Sequence, residues 1–260
     1  MKKMIALAAA VIMAVSAPVA SFAGVTSAVV THKKIYTTKT YQSPKFTYST
    51  AMVKINKKAA DKKEYINVDI NYPKITGTAT NVKDFNAANN AAFREEGNEF
   101  IKKYTKEAKK YHDTTTLGVK ADTPYSLKVE YSMKFNDDSV ISVLYTKTTT
   151  VAGVKSVEQW STNYDFIKGQ ELSPDDVSLI PEKGETMELV LDAFAKKIRN
   201  SKKIYFNDAK VTEEDIHFYF DKDSMTFFVN PGLIADTSRG VVTYKLLDDA
   251  AETYLRNRGQ

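Results

Sequence analysis

The chain has 260 residues, 43% of them hydrophobic, with 13 Phe and 15 Tyr; it can build a packed core and does not have the composition of a disordered tail. It contains no cysteine, which excludes a disulfide framework, thiolate metal sites and a lipid-modified N-terminal cysteine. The formal net charge of +5 is unevenly placed, because residues 24–63 hold nine lysines and one aspartate while the chain beyond them is net acidic.

Residues 1–23 carry a charged start (Lys2, Lys3), an apolar run from Met4 to Val15 and a small-residue site at Ser21-Phe22-Ala23. These are the three parts of a secretory signal, so the product is expected to be exported, periplasmic or extracellular. The run is too short and too broken, by Ser16 and Pro18, for a spanning helix of roughly 20 apolar residues, and no transmembrane segment is expected in the mature protein.

Residues 24–46 have no apolar period and read as a basic linker. This charge run has two readings: a solvated tail, or an arm attached electrostatically to an anionic surface. Nucleic acid is not expected as a partner, since no recognition motif is present.

Folded structure is expected from residue 47. Ala51, Val53 and Ile55 alternate with polar neighbours, as do Ile66, Val68, Ile70 and Tyr72 after the lysine-rich turn at 56–63; period two predicts strands with one buried face. Pro73 and Gly77 are expected to stop the second strand. Residues 82–111 change to three- and four-residue steps (Phe85, Ala88, Ala92, Phe93, Phe100, Ile101, Tyr104, Ala108, Tyr111), which predicts an amphipathic helix with Asn81 as N-cap. Gly97 in its middle predicts a kink or close backbone packing. Lys102, Lys103, Lys106, Lys109 and Lys110 suit the negative end of its dipole.

Leu127, Val129, Tyr131, Met133 and Phe135 alternate again, and Asn136-Asp137-Asp138 turns them back into Ile141, Val143 and Tyr145 as a hairpin. A strand over 157–166 and a loop at Lys168-Gly169 follow. Met187, Val190, Leu191, Phe194 and Ile198 predict a second amphipathic helix, with Lys196, Lys197 and Arg199 at its end. Strands are then expected at 216–220, 225–229 and 241–246, with a turn at 221–224. The fold class is α+β, antiparallel sheets each packed by an amphipathic helix. The expected organisation is a signal peptide (1–23), a basic linker (24–46), an N-terminal α+β domain (47–160) and a C-terminal α+β domain (161–260).

The catalytic motifs that couple a nucleophile, a metal or a phosphate to fixed spacings, such as G-x-S-x-G, H-E-x-x-H and G-x-x-x-x-G-K-[ST], are all missing. His32 lies in the linker, His112 in the last turn of the long helix and His217 in a strand; each reads as structural, since a base needs a nucleophile and an orienting partner. The acid groups Asp137-Asp138, Asp175-Asp176, Glu213-Glu214-Asp215 and Asp248-Asp249 read as turns and caps. Asp221-Lys222-Asp223 begins like a calcium loop but lacks its glycine and closing glutamate. Trp160 has two readings, a sugar-stacking platform or core. No catalytic, cofactor-binding or metal-ligating residue is assigned, no cofactor is implied, the ligand-binding residues stay open, and the chain reads as a non-enzyme.

Two stretches carry a family resemblance. Ile66 to Gly77, ending Tyr72-Pro73, Ile75 and Gly77 before an Asn-rich helix, looks like the start of a bacterial export-associated domain of unknown function. Ser161 to Leu172, Phe218 to Phe228, Ile234-Ala235 and Gly240 to Leu247 resemble the domain that usually follows it. The pair resembles the extracytoplasmic region of the sigma-V anti-sigma factor, which senses lysozyme by binding it. The first domain also precedes the catalytic domain of a peptidoglycan N-acetylmuramic acid deacetylase. Two loops depart from the family pattern. Ala152-Gly153-Val154-Lys155 stands where Gly-Ala-His-Gly is common, and Asp236 to Gly240 where Pro-Tyr-Ala-x-Gly is common. No lysozyme-contacting residue is therefore carried over.

The expected function is an exported non-catalytic binding module of the cell envelope, with a lysozyme-like muramidase or other envelope protein as partner. The alternative is a peptidoglycan or anionic-polymer binder that uses the basic arm.

Overall fold

A computed structural model describes residues 46–114, 123–137, 140–177, 185–201, 204–206 and 208–247. The signal at 1–23, the linker with His32, Lys33, Lys34, Lys39 and Lys45, and the acids Asp138, Asp248 and Asp249 lie outside the described residues. Among the described residues, no helix is long and apolar enough to cross a membrane.

The alternating segments form β1 (Thr47–Lys58), β2 (Glu64–Thr76), β3 (Tyr125–Asp137), β4 (Val140–Val151), β5 (Val154–Asp165) and the short β6 (Gln170–Glu171). They lie side by side in that order in one six-stranded sheet. The long helix α1 (Asn81–Thr114) buries Phe85, Phe93, Gly97, Phe100 and Ala108. With Ile66, Val68, Ile70, Leu127, Val129, Ile141, Val143 and Tyr145 these make the first core. Short α2 (Pro174–Val177), then α3 (Glu185–Asn200), lead to a three-stranded sheet of β7 (His217–Phe220), β8 (Ser224–Val229) and β9 (Val242–Leu247). Val190 and Phe194 of α3 join Phe218, Phe220, Met225 and Phe227 in a second core.

The class is α+β, as expected, but the first sheet is mixed. Ile66–Ile70 pair in parallel with Tyr125–Val129, whereas the other ladders are antiparallel. The cause is α1, because a helix between two neighbouring strands returns the chain to its starting end and makes them parallel.

Pro73 does not stop β2, which runs on to Thr76. Asn86 of α1 donates its amide to the Ile75 carbonyl (2.8 Å) and accepts from the Ile75 N–H (2.9 Å). Backbone groups alternate sides along a strand, so Ile75 and Pro73 both face away from β1. On that side the β3 ladder has ended at Ile70, and the proline forfeits no ladder bond.

Asn81 is not a cap either. It is the first residue of α1, and its side chain donates to the Phe166 carbonyl (3.0 Å). Gly169 turns beside that amide at φ 69°, and a Cβ there would lie 2.5 Å from Asn81 Nδ2. Gly97 gives close packing: a Cβ would meet Val68 at 3.3 Å and Ile55 at 3.6 Å. Ala88, placed on the apolar face by spacing, is exposed.

The described residues fall in one compact unit. Position 160 falls inside β5, and β4 serves both cores. Ile141, Val143 and Tyr145 face α1, while Val140 joins the second core. Backbone groups of β7 meet side chains of β4 and β5: the Ser142 hydroxyl accepts from the Phe220 N–H (3.0 Å), and Asn163 donates to the Phe218 carbonyl (2.8 Å). Ser142 itself donates to Asn163 at 2.6 Å, completing a buried polar seam.

Candidate functional site

Three of the acids singled out by sequence hold the backbone. The Ser173 N–H donates to Asp176 (2.8 Å) and the Thr212 N–H to Asp215 (2.9 Å), each inside a capping box. Asp221 accepts from the Asp223 N–H and the Ser224 hydroxyl, both at 2.9 Å, closing the β7–β8 hairpin. Among the described residues, no group of three or more His, Asp or Glu is placed to hold a metal ion.

His112 is 3% exposed, with Nε2 3.2 Å from Asp61 Oδ2, which fastens the end of α1 to the β1–β2 turn. The Lys63 N–H bonded to Asp61 holds that carboxyl below its ordinary range, and His112 adds to the effect. His217 stacks on Phe228 with centroids 5.3 Å apart. Burial lowers its pKa, partly opposed by Glu158 and Asp215.

Trp160 belongs to the first core rather than to a sugar platform. Its ring stacks on Tyr145 at 5.1 Å and lies 6.4 Å from Phe93. Lys147 Nζ stands 5.7 Å from the same ring, between Glu158 (2.7 Å) and Glu96 (3.3 Å). Burial pulls the Lys147 pKa down, but the two carboxylates outweigh it and leave it raised. This half-buried cluster ties α1 to β4 and β5.

The loops that depart from the family pattern are tight. Ala152 and Gly153 have φ of 50° and 80°, a two-residue primed hairpin turn joining Val151 to Val154. Asp236 caps a 3-10 turn by accepting from the Ser238 N–H.

Sequence reasoning did not find the arrangement at β1, the first strand of the sheet. In the β1–β2 ladder, Tyr48 opposes Ile75 and Thr50 opposes Pro73. Ile75 and Pro73 face away from β1, so these are non-hydrogen-bonded pairs, and the backbone groups of Tyr48, Thr50, Met52, Lys54 and Asn56 point outward. Among the described residues those groups have no strand partner. Met52 is 56% exposed. Beside this edge lies a cleft of about 230 Å³ lined by Met52, Val53, Lys54, Ile55, Arg94 and Asn98. Asn90 accepts from Arg94 Nε (3.1 Å) and steadies it. The other long outer strand differs, since Asn230 bonds both the N–H (2.6 Å) and the carbonyl (3.0 Å) of Gln159 in β5. Pro73 marks the side of β2 left without a neighbour beyond Ile70, not the outer edge of β1, for which the residue pattern holds no signal.

The family model described as deacetylase PdaC matches residues 59–149, from the β1–β2 turn through α1 to β4. No curated protein matches. A crystal structure of a DUF3298-family member from Bacteroides fragilis NCTC 9343 aligns over 81% of this chain and 93% of its own, with a TM-score of 0.59 and 16% identity. The two proteins share a fold. A second DUF3298-family structure, from Pseudomonas aeruginosa PAO1, aligns over 82% of this chain and 94% of its own at 12% identity and a TM-score of 0.49. The body thus shares its fold with a DUF3298-family structure, and residues 59–149 within it are similar to the PdaC family model.

Proposed function

We propose that this protein is an exported, non-catalytic binding module of the bacterial cell envelope whose partner is another envelope protein. One observation supports the non-catalytic reading: Asp176, Asp215, Asp221, His112 and His217 are each bonded into a cap, a turn or a packing contact. The resemblance to the lysozyme-sensing anti-sigma region makes a lysozyme-like muramidase the first partner to test. Export rests on the charged, apolar and small-residue succession of residues 1–23.

The anionic-polymer reading has its own observation. The Asp61–His112 contact brings the hairpin lysines Lys57, Lys58, Lys62 and Lys63 to the lysine-rich end of α1. Pull-downs of residues 24–260 against lysozyme, and separately against purified peptidoglycan sacculi, discriminate the two. Capture of lysozyme with sacculi left unbound is the expected result. Retention on sacculi alone favours the polymer, and release of acetate from peptidoglycan would overturn the non-catalytic reading.

A further inference from the structure

We infer that the outer edge of β1 accepts an extended acidic polypeptide segment as an added strand; this rests on reading the body as a protein-binding module. Strand addition needs main-chain groups for affinity and a recess for alternate side chains. Both are present. Tyr48, Thr50, Met52, Lys54 and Asn56 present outward backbone groups, and the cleft lined by Met52, Ile55, Arg94 and Asn98 opens beside them.

Charge selects the occupant. Lys54 and Lys57 are exposed on β1, Lys58 is exposed there 4.0 Å from Glu64, and Arg94 lines the cleft. Lysines on an edge strand oppose pairing with a second copy, because two such strands would set cation against cation. An incoming strand bearing carboxylates meets the same lysines as partners. The edge thus repels its own kind and suits an acidic segment.

The test uses residues 24–260 and three probes: a short blocked peptide alternating Glu with Val, the same peptide with Lys for Glu, and poly-L-glutamate. Hydrogen exchange is read at the amides of Tyr48, Thr50, Met52, Lys54 and Asn56. The Glu peptide should slow exchange at those five amides by about tenfold or more, as strand pairing does, and the Lys peptide should not. Met52→Pro removes one outward N–H from a non-hydrogen-bonded pair and should abolish the protection. Lys54→Glu combined with Lys57→Glu, both exposed, should weaken binding severalfold and leave the thermal midpoint in place. Equal binding of poly-L-glutamate without amide protection would reduce the edge to a plain basic surface and overturn the inference. So would no binding of the Glu peptide. An envelope protein captured equally well by wild type and Met52→Pro would overturn the edge while leaving the binding-module reading standing.

Discussion

Two asparagines do the work of missing strands. Asn86 bonds both backbone groups of Ile75, and Asn230 both groups of Gln159, each carboxamide standing in for a neighbouring peptide unit. Removing either leaves a part-buried N–H and carbonyl unpaired, which costs about 1–3 kcal/mol per group. With two groups left unpaired, Asn86→Ala and Asn230→Ala should each lower the unfolding free energy read from urea denaturation by about 2–6 kcal/mol. Phe93 and Phe194, 4% and 0% exposed, test a different term. Phe93 stacks on Tyr72 at 4.7 Å and Phe194 sits in the second core, so Phe→Ala at either should cost about 3–5 kcal/mol through lost transfer energy and a cavity. An unchanged midpoint for a Phe variant would mean that its helix does not pack as described.

At the scale of elements, β7 carries a pH response through His217. Its folded pKa is lowered from the ordinary 6.5 by burial, and it stacks on Phe228 of β8. The unfolded chain then takes up the proton first as pH falls below 6.5, so stability is complete above that value and declines as pH drops toward the lowered folded pKa. The difference between wild type and His217→Gln isolates the histidine: wild type should lose more stability than the variant on going below pH 6.5, and parallel curves would refute it. Most elements were legible because alternation and three-to-four spacing record which face is buried, as at Ile66–Tyr72 and Phe93–Ala108. The parallel β2–β3 pairing and the passage of β2 through Pro73 were not. Both depend on which strand lies beside which, and side-chain periodicity does not encode neighbours.

At the scale of the molecule, the same limit hid the β1 edge: its residues read as an ordinary half-buried strand until the strand order showed one side open. The roles of Asp176, Asp215 and Asp221 as caps and turns were legible because the N–H each accepts from is local, as in Ser173–Asp176, whereas the His112–Asp61 contact is long-range and was not. Phe46 marks where the described body begins. It stacks on Phe166 at 5.3 Å, and its carbonyl accepts from Asn136. Deleting residues 24–44 should therefore leave the thermal midpoint nearly unchanged, and a large drop would make the arm part of the fold. The deletion also separates the two partner classes. Attachment through the arm acts between exposed charges, and the Debye length shrinks from about 10 Å at 0.1 M salt to about 3 Å at 1 M. If the arm tethers the protein to sacculi, retention should collapse at 1 M salt and when Lys33, Lys34, Lys39 and Lys45 are neutralised. If β1 holds a protein partner, main-chain hydrogen bonds and the burial of Met52 carry most of the affinity, and neither is screened like a surface charge. Binding to the protein partner should then survive the arm deletion and persist, though weakened, at 1 M salt. Salt-resistant binding without the arm would exclude the tether, and loss of binding with the arm would exclude the edge.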